Sequence, residues 1–89
     1  MLYMIIEDFG GNAVPIYRRF RDLGRMMPDG LTYVSSWVTP ELQRCFQLME
    51  TDDPSLLEAW MERWRDLGRF EVVPVISSAE AAAKIAPRL

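Results

Sequence analysis

Five side chains able to bind or react fall at alternate positions of two adjoining apolar segments: Tyr33, Ser35 and Trp37 in the first, Cys45 and Gln47 in the second. The turn sequence Thr39-Pro40-Glu41 between the segments predicts a β-hairpin. If odd positions pair with odd, all five side chains share one face of it; a slip of one residue separates them. Trp60 and Trp64, one helical turn apart, are placed to cover that face. Together they would form an aromatic box with a few hydrogen-bonding groups, the usual make-up of a small-ligand pocket. The alternative is an amphipathic core in which each indole and phenol tip finds one partner.

The chemistry open to this set is limited. The chain has no histidine, the side chain most used for proton transfer near neutral pH and for haem or zinc ligation. Cys45 is the only cysteine, so an internal disulfide and any Cys-x-x-Cys metal or redox site are excluded. Without a histidine to lower its pKa, Cys45 reads as a buried inert thiol rather than a nucleophile. Glu7 and Glu50 end two segments expected to be neighbouring strands, where a carboxylate pair able to hold or move a proton is one outcome. Solvation, or pairing with an arginine such as Arg44, is the other. Gly10-Gly11 is too short for a phosphate-cradling loop. No cofactor and no metal are expected.

Eighty-nine residues make a single domain over 1–89, since a core of this size is already marginal. Apolar residues make up 49% of the chain and charged ones 26%, which fits a folded globular protein. Aromatics at 11% are many for so small a core, and a second copy covering part of them would resolve this. A net charge of −3 and a pI near 4.8 offer no basic footprint for a phosphate backbone, so nucleic acid is not an expected partner. The N-terminal apolar run is too short for a membrane span and lacks the basic start of a signal peptide. With one cysteine and no targeting segment, a reducing cytoplasm is expected.

The elements that would position these residues follow from the pattern along the chain. Leu2 to Glu7 reads as a strand, closed by Phe9-Gly10-Gly11-Asn12, with Asn12 able to cap a helix that follows. Ile16, Phe20 and Leu23 recur at helical spacing between Ala13 and Gly24, with Tyr17 beside them. Leu31 to Val38 and Leu42 to Glu50 form the hairpin. Asp53-Pro54 starts a second helix, along which Leu57, Trp60, Met61, Trp64 and Leu67 make one apolar stripe up to a stop at Gly68. Phe70 to Ile76 is a fourth strand, and Pro74 suits an edge or a bulge. Ser77 to Glu80 has capping-box spacing ahead of a short terminal helix stopped by Pro87.

An internal echo strengthens this order. Arg19-Phe20-Arg21-Asp22-Leu23-Gly24-Arg25-Met26 recurs as Arg63-Trp64-Arg65-Asp66-Leu67-Gly68-Arg69-Phe70, differing only at aromatic and large apolar positions. Two β-α-β halves related by the pseudo-twofold of a ferredoxin-like β-α-β-β-α-β fold would carry such a repeat. The helices lie on one face of an antiparallel sheet in that fold, and the other face should be polar if it meets water. Here both alternating sets are largely apolar: Leu2, Met4 and Ile6 against Tyr3 and Ile5, and Val72 and Pro74 against Val73 and Val75. Both faces therefore need cover, and a homodimer packed sheet against sheet provides it.

Tyr33-Val34-Ser35-Ser36-Trp37, Cys45 through Thr51, the Trp60 and Trp64 pair and Phe70-Glu71-Val72-Val73-Pro74-Val75 together resemble the dimeric α+β barrel superfamily. That group includes muconolactone isomerase and antibiotic-biosynthesis monooxygenases. Most similar is a small bacterial family within it, known only as a domain of unknown function. The resemblance implies the ferredoxin-like α+β fold and a dimer, and supplies no activity. Three functions are then expected to compete: a dimer binding a small apolar or aromatic molecule between sheet and helices, a cofactor-independent monooxygenase or isomerase acting on such a molecule, and a structural dimer with a filled core.

Overall fold

The computed structural model describes residues 1–89. Its elements are β1 (Leu2–Asp8), α1 (Val14–Leu23), β2 (Thr32–Val38), β3 (Arg44–Glu50), α2 (Ser55–Glu62), β4 (Arg69–Val75) and α3 (Ser78–Ile85), followed by one 3₁₀ turn at Ala86–Arg88. The strands form one antiparallel sheet in the order β2-β3-β1-β4. Non-sequential neighbours β1 and β3 at its centre are the mark of the ferredoxin-like β-α-β-β-α-β arrangement. Pro74 lies on the edge strand β4, opposite Tyr3, where the absent N–H costs no inner ladder bond.

Helix starts follow the local chemistry. The Asn12 side-chain oxygen accepts from Val14 N at 3.2 Å, and Asp53 Oδ1 accepts from Ser55 N at 3.0 Å. Ser77 Oγ accepts from Glu80 N at 3.1 Å, which caps α3. The end of α2 differs from the expectation of one helix running to Gly68. Its α-helical part stops at Glu62, and the chain continues through bonds from Arg63 N to Trp60 O, Trp64 N to Met61 O and Leu67 N to Trp64 O. These three-residue spans tighten the turn, and Trp64 within it is buried.

The core is built from Ile5 and Phe9, Ile16 of α1, Leu31, Cys45 and Met49 of β3, and Leu57, Trp60, Met61 and Trp64. α2 and the turn after it therefore supply four of the ten core residues and α1 only one. Of the apolar residues on α1 only Ile16 is buried; Phe20 is 39% exposed and Leu23 63% exposed, against the expectation that all three pack on the sheet. α1 stands off the sheet at one end and leaves a gap beneath it.

The hairpin register differs from strict alternation. Tyr33 lies opposite Met49 and Ser35 opposite Leu48, so two steps along β2 match one along β3 and Val34 is the extra residue of a β-bulge. Beyond the bulge every side chain of β2 changes face. Tyr33, Ser36 and Val38 stand with Met49, Gln47 and Cys45 under the helices, while Ser35 and Trp37 stand with Leu48 and Phe46 on the open face. Leu2, Met4, Ile6, Val73 and Val75 share that open face through the pairings of β1. Trp37 is 55% exposed there.

The two arginine-rich octamers are joined rather than merely solvated. Arg19 of the first forms a bidentate pair with Asp66 of the second, both N···O distances 2.8 Å, and also donates to the carbonyl of Arg63 at 2.9 Å. The pair is solvent-screened, so its role is to set the position of one segment against the other rather than to stabilise the fold.

Candidate functional site

The gap under α1 is a cavity of about 100 Å³, open on one side, whose lining includes Glu7, Phe9, Tyr17, Phe20, Arg25, Ser36, Cys45, Gln47, Trp60 and Trp64. Its floor comes from the sheet. Ile5 lies opposite Gln47 and Glu7 opposite Cys45, so Glu7 and Gln47 are diagonal neighbours on adjacent central strands. Gln47 Nε2 donates to Glu7 Oε1 at 3.3 Å. The other carboxyl oxygen, Oε2, is buried without any hydrogen-bond partner.

Glu7 is 4% exposed, and burial alone raises its pKa from 4.5 to about 7. Its carboxyl packs against Gly68, where a Cβ would stand 2.9 Å from the Asp8 carbonyl oxygen and 3.2 Å from Glu7 Oε2. Gly68 therefore serves close approach rather than a left-handed helix stop, since its φ is not positive. Gly68→Ala is expected to cost about 1 to 3 kcal/mol by overpacking. A chemical denaturation curve that matches wild type would contradict that contact.

The walls are aromatic and held from one point. Trp60 Nε1 and Trp64 Nε1 both donate to the carbonyl of Arg25, at 2.9 and 3.1 Å, so both indole tips are satisfied and their ring faces are left for the cavity. Phe70 meets Trp60 edge-to-face at 5.5 Å, and Phe9 meets Tyr17 in the same way at 6.0 Å. At the mouth, the Arg25 guanidinium lies 3.8 Å from the Tyr33 ring centroid and 4.9 Å from that of Phe20. Its one side-chain hydrogen bond runs to Ser36 Oγ at 3.5 Å, and Ser36 Oγ is also 2.7 Å from the Tyr33 hydroxyl.

Cys45 has its thiol pKa raised to about 11, first by burial, then by the nearby Glu7, with Arg25 pulling the other way. It stays a thiol at neutral pH and has no nucleophilic form there. The phenol of Tyr17 is pushed up in the same way, first by burial and then by Cys45 and Glu7, against Arg25. Tyr17 and Cys45 thus lie within reach of both Glu7 and Arg25, the two charged groups of the lining.

Of the residues singled out by sequence, Glu7, Cys45, Gln47, Trp60 and Trp64 meet at this cavity. The shared hairpin face does not hold: the bulge at Val34 sends Ser35 and Trp37 to the opposite side of the sheet. Tyr33 stays on the helix side but lies behind Arg25 rather than on the lining. Glu7 and Glu50 do not pair. In the antiparallel alignment Glu50 lies opposite Leu2 at one end of the strands and Glu7 opposite Cys45 at the other. Glu50 accepts instead from the amino group of Met1 at 3.1 Å. Arg25, Ser36, Tyr17 and Phe20 were not anticipated as lining; their places depend on the bulge and on how far α1 stands from the sheet.

The family model for a domain of unknown function, DUF3303, matches residues 1–89. The chain belongs to the DUF3303 family. No curated protein and no solved structure matches it. The DUF3303 domain is thus a small α+β fold with a four-stranded sheet and helices. None of those helices is long and apolar enough to cross a membrane.

Proposed function

We propose that this domain binds a small apolar or aromatic molecule in the cavity between sheet and helices. The observation that carries this reading is the buried Glu7–Gln47 pair set in a cavity of about 100 Å³ among aromatic rings. A carboxyl and an amide at the floor, with aromatic rings around them, are the few polar groups in an apolar lining by which a small-ligand pocket orients its occupant. Roughly 150 Å³ of apolar space suffices for benzene, so the cavity suits a small ring with part of the molecule in the mouth. The residues meeting it would be Cys45, Gln47, Trp60 and Trp64, with Glu7 at the floor.

The open sheet face supports a homodimer. Leu2, Met4, Ile6, Trp37, Phe46, Leu48, Val73 and Val75 form its apolar surface. Burying such side chains is worth about 1.5 to 3 kcal/mol each. Light scattering should give twice the chain mass of 10.3 kDa, and Leu48→Glu at the sheet centre should halve it. A stable, folded wild-type monomer at micromolar concentration would refute the dimer.

A second reading, a cofactor-independent monooxygenase or isomerase, is favoured by one observation. A carboxyl with a pKa of about 7 divides between acid and base at neutral pH and can take or return a proton. Mass spectrometry of ligand carried through purification, and tryptophan quenching by a panel of aromatic acids and quinones, test binding. Binding without turnover under oxygen rejects the enzyme. The absence of any ligand response would leave a structural dimer.

A further inference from the structure

The cavity lining holds one cation, Arg25, and one buried acid, Glu7, and neither has a counter-ion. Arg25 forms no salt bridge with any carboxylate, and four of its five guanidinium N–H donors have no protein acceptor. The rings of Tyr33 and Phe20 fix its plane at the mouth, so it is oriented without being neutralised. A planar guanidinium held in this way and left with free donors matches the geometry of a carboxylate or a phenolate. At the floor, the only partner of the Glu7 carboxyl is Gln47 Nε2, and its second oxygen is empty-handed.

We propose that the cavity is a receptor for a small flat monoanion, with its ring among Trp60, Trp64 and Phe9 and its anionic group on Arg25, and that the anion enters only while Glu7 holds its proton. The proposal rests on the cavity being a ligand site and adds the charge of the ligand and the condition for its entry. Two negative charges in one poorly solvated space repel, so ionised Glu7 excludes the anion that neutral Glu7 admits. The groups facing Glu7 do not interfere. Gln47 and Cys45 on β3 and Tyr17 on α1 are uncharged at neutral pH, with burial raising both the thiol and the phenol, and Gly68 and Phe70 carry no charge. Arg25 remains the one cation. Binding is therefore coupled to proton uptake, and affinity falls as pH rises through about 7.

Calorimetry with two size-matched pairs, benzoate with benzamide and 2-furoate with 2-furamide, tests this on the intact domain. The acids stay ionised from about pH 5.5 to about pH 8.5, so any pH dependence belongs to the protein. The anions should bind at least about tenfold more tightly than the amides at the acid end, and lose about tenfold per pH unit above the Glu7 midpoint, while the amides stay level. Glu7→Gln should flatten the pH profile and keep the preference for the anion. Arg25→Met should remove the preference, and Arg25→Lys should keep part of it; both retain the backbone carbonyl that holds the tryptophans. Amides that bind as well as the anions, or an anion preference that ignores pH or survives in Arg25→Met, would overturn the inference and leave the cavity a ligand site. If neither member of either pair binds, the ligand site itself fails and the inference with it.

Discussion

Between about pH 4.5 and about pH 8 the wild-type fold should lose about 3 kcal/mol of stability relative to its Glu7→Gln variant. Burial raises the folded-state pKa of Glu7 from 4.5 to about 7. Below pH 4.5 both folded and unfolded chains hold the proton, and burial of the acid carries no electrostatic cost. As pH rises, the unfolded chain gives up its proton first, and the penalty grows until the folded state ionises near pH 7, then stays constant. Glutamine cannot ionise and keeps the acceptor for Gln47, so this part of the slope disappears. At the acid end the variant should be equal or slightly weaker, because its amide brings donors that lack acceptors. The window is clean: the lowered carboxyls of Asp53 and Asp66 act below it, and the raised Cys45 and Tyr17 act above it. Urea denaturation of both proteins across the range measures the difference. Parallel stability curves would mean that water reaches Glu7.

Trp60→Ala is expected to cost about 3 to 5 kcal/mol, the largest effect of any single substitution considered. Trp60 is 2% exposed, packs edge-to-face on Phe70 and ties α2 to the loop after α1 through the Arg25 carbonyl. The shared acceptor gives a sharper expectation. Trp60→Phe keeps most of the ring, and Trp64 still satisfies the carbonyl, so it should lose about 1 kcal/mol for the bond plus a packing term. Trp64→Phe should behave alike. The double substitution leaves the carbonyl of Arg25 with no donor and should exceed the sum of the singles by about 1 kcal/mol. Additivity in that cycle would show that the two indoles do not share the acceptor.

Much of the fold was legible because each element carried its own local signal: the turn at Thr39-Pro40-Glu41, the Asx and serine caps, and the repeat of the arginine-rich octamer. The candidate site was legible in part. Cys45 and Gln47 alternate on a central strand, and Trp60 and Trp64 are four residues apart where α2 passes into the turn after it, so spacing sufficed to bring them together. Ser35 and Trp37 were lost from the group because no residue type in Tyr33-Val34-Ser35-Ser36-Trp37 marks the bulge; a bulge on an edge strand is fixed by the Tyr33 to Ser36 contact and the sheet around it. Glu7 was visible as an acid at a strand end, but strand direction, which sends Glu50 to the far end, decides its partner. Arg25 belongs to a repeated motif whose second copy, Arg69, enters a strand; only the longer loop before β2 turns Arg25 toward the cavity.

The three tryptophans sit on two faces of one sheet, which makes them a built-in comparison. Trp60 and Trp64 line the cavity under the helices, and Trp37 lies on the opposite face. The indole N–H resonances in a ¹H–¹⁵N spectrum, followed while benzoate or benzamide is added below the Glu7 midpoint, read the two faces separately. A ligand cavity between sheet and helices predicts that the Trp60 and Trp64 signals shift together and saturate while Trp37 stays in place. Signals of Trp60 and Trp64 that do not move, or a shift confined to Trp37, would contradict it.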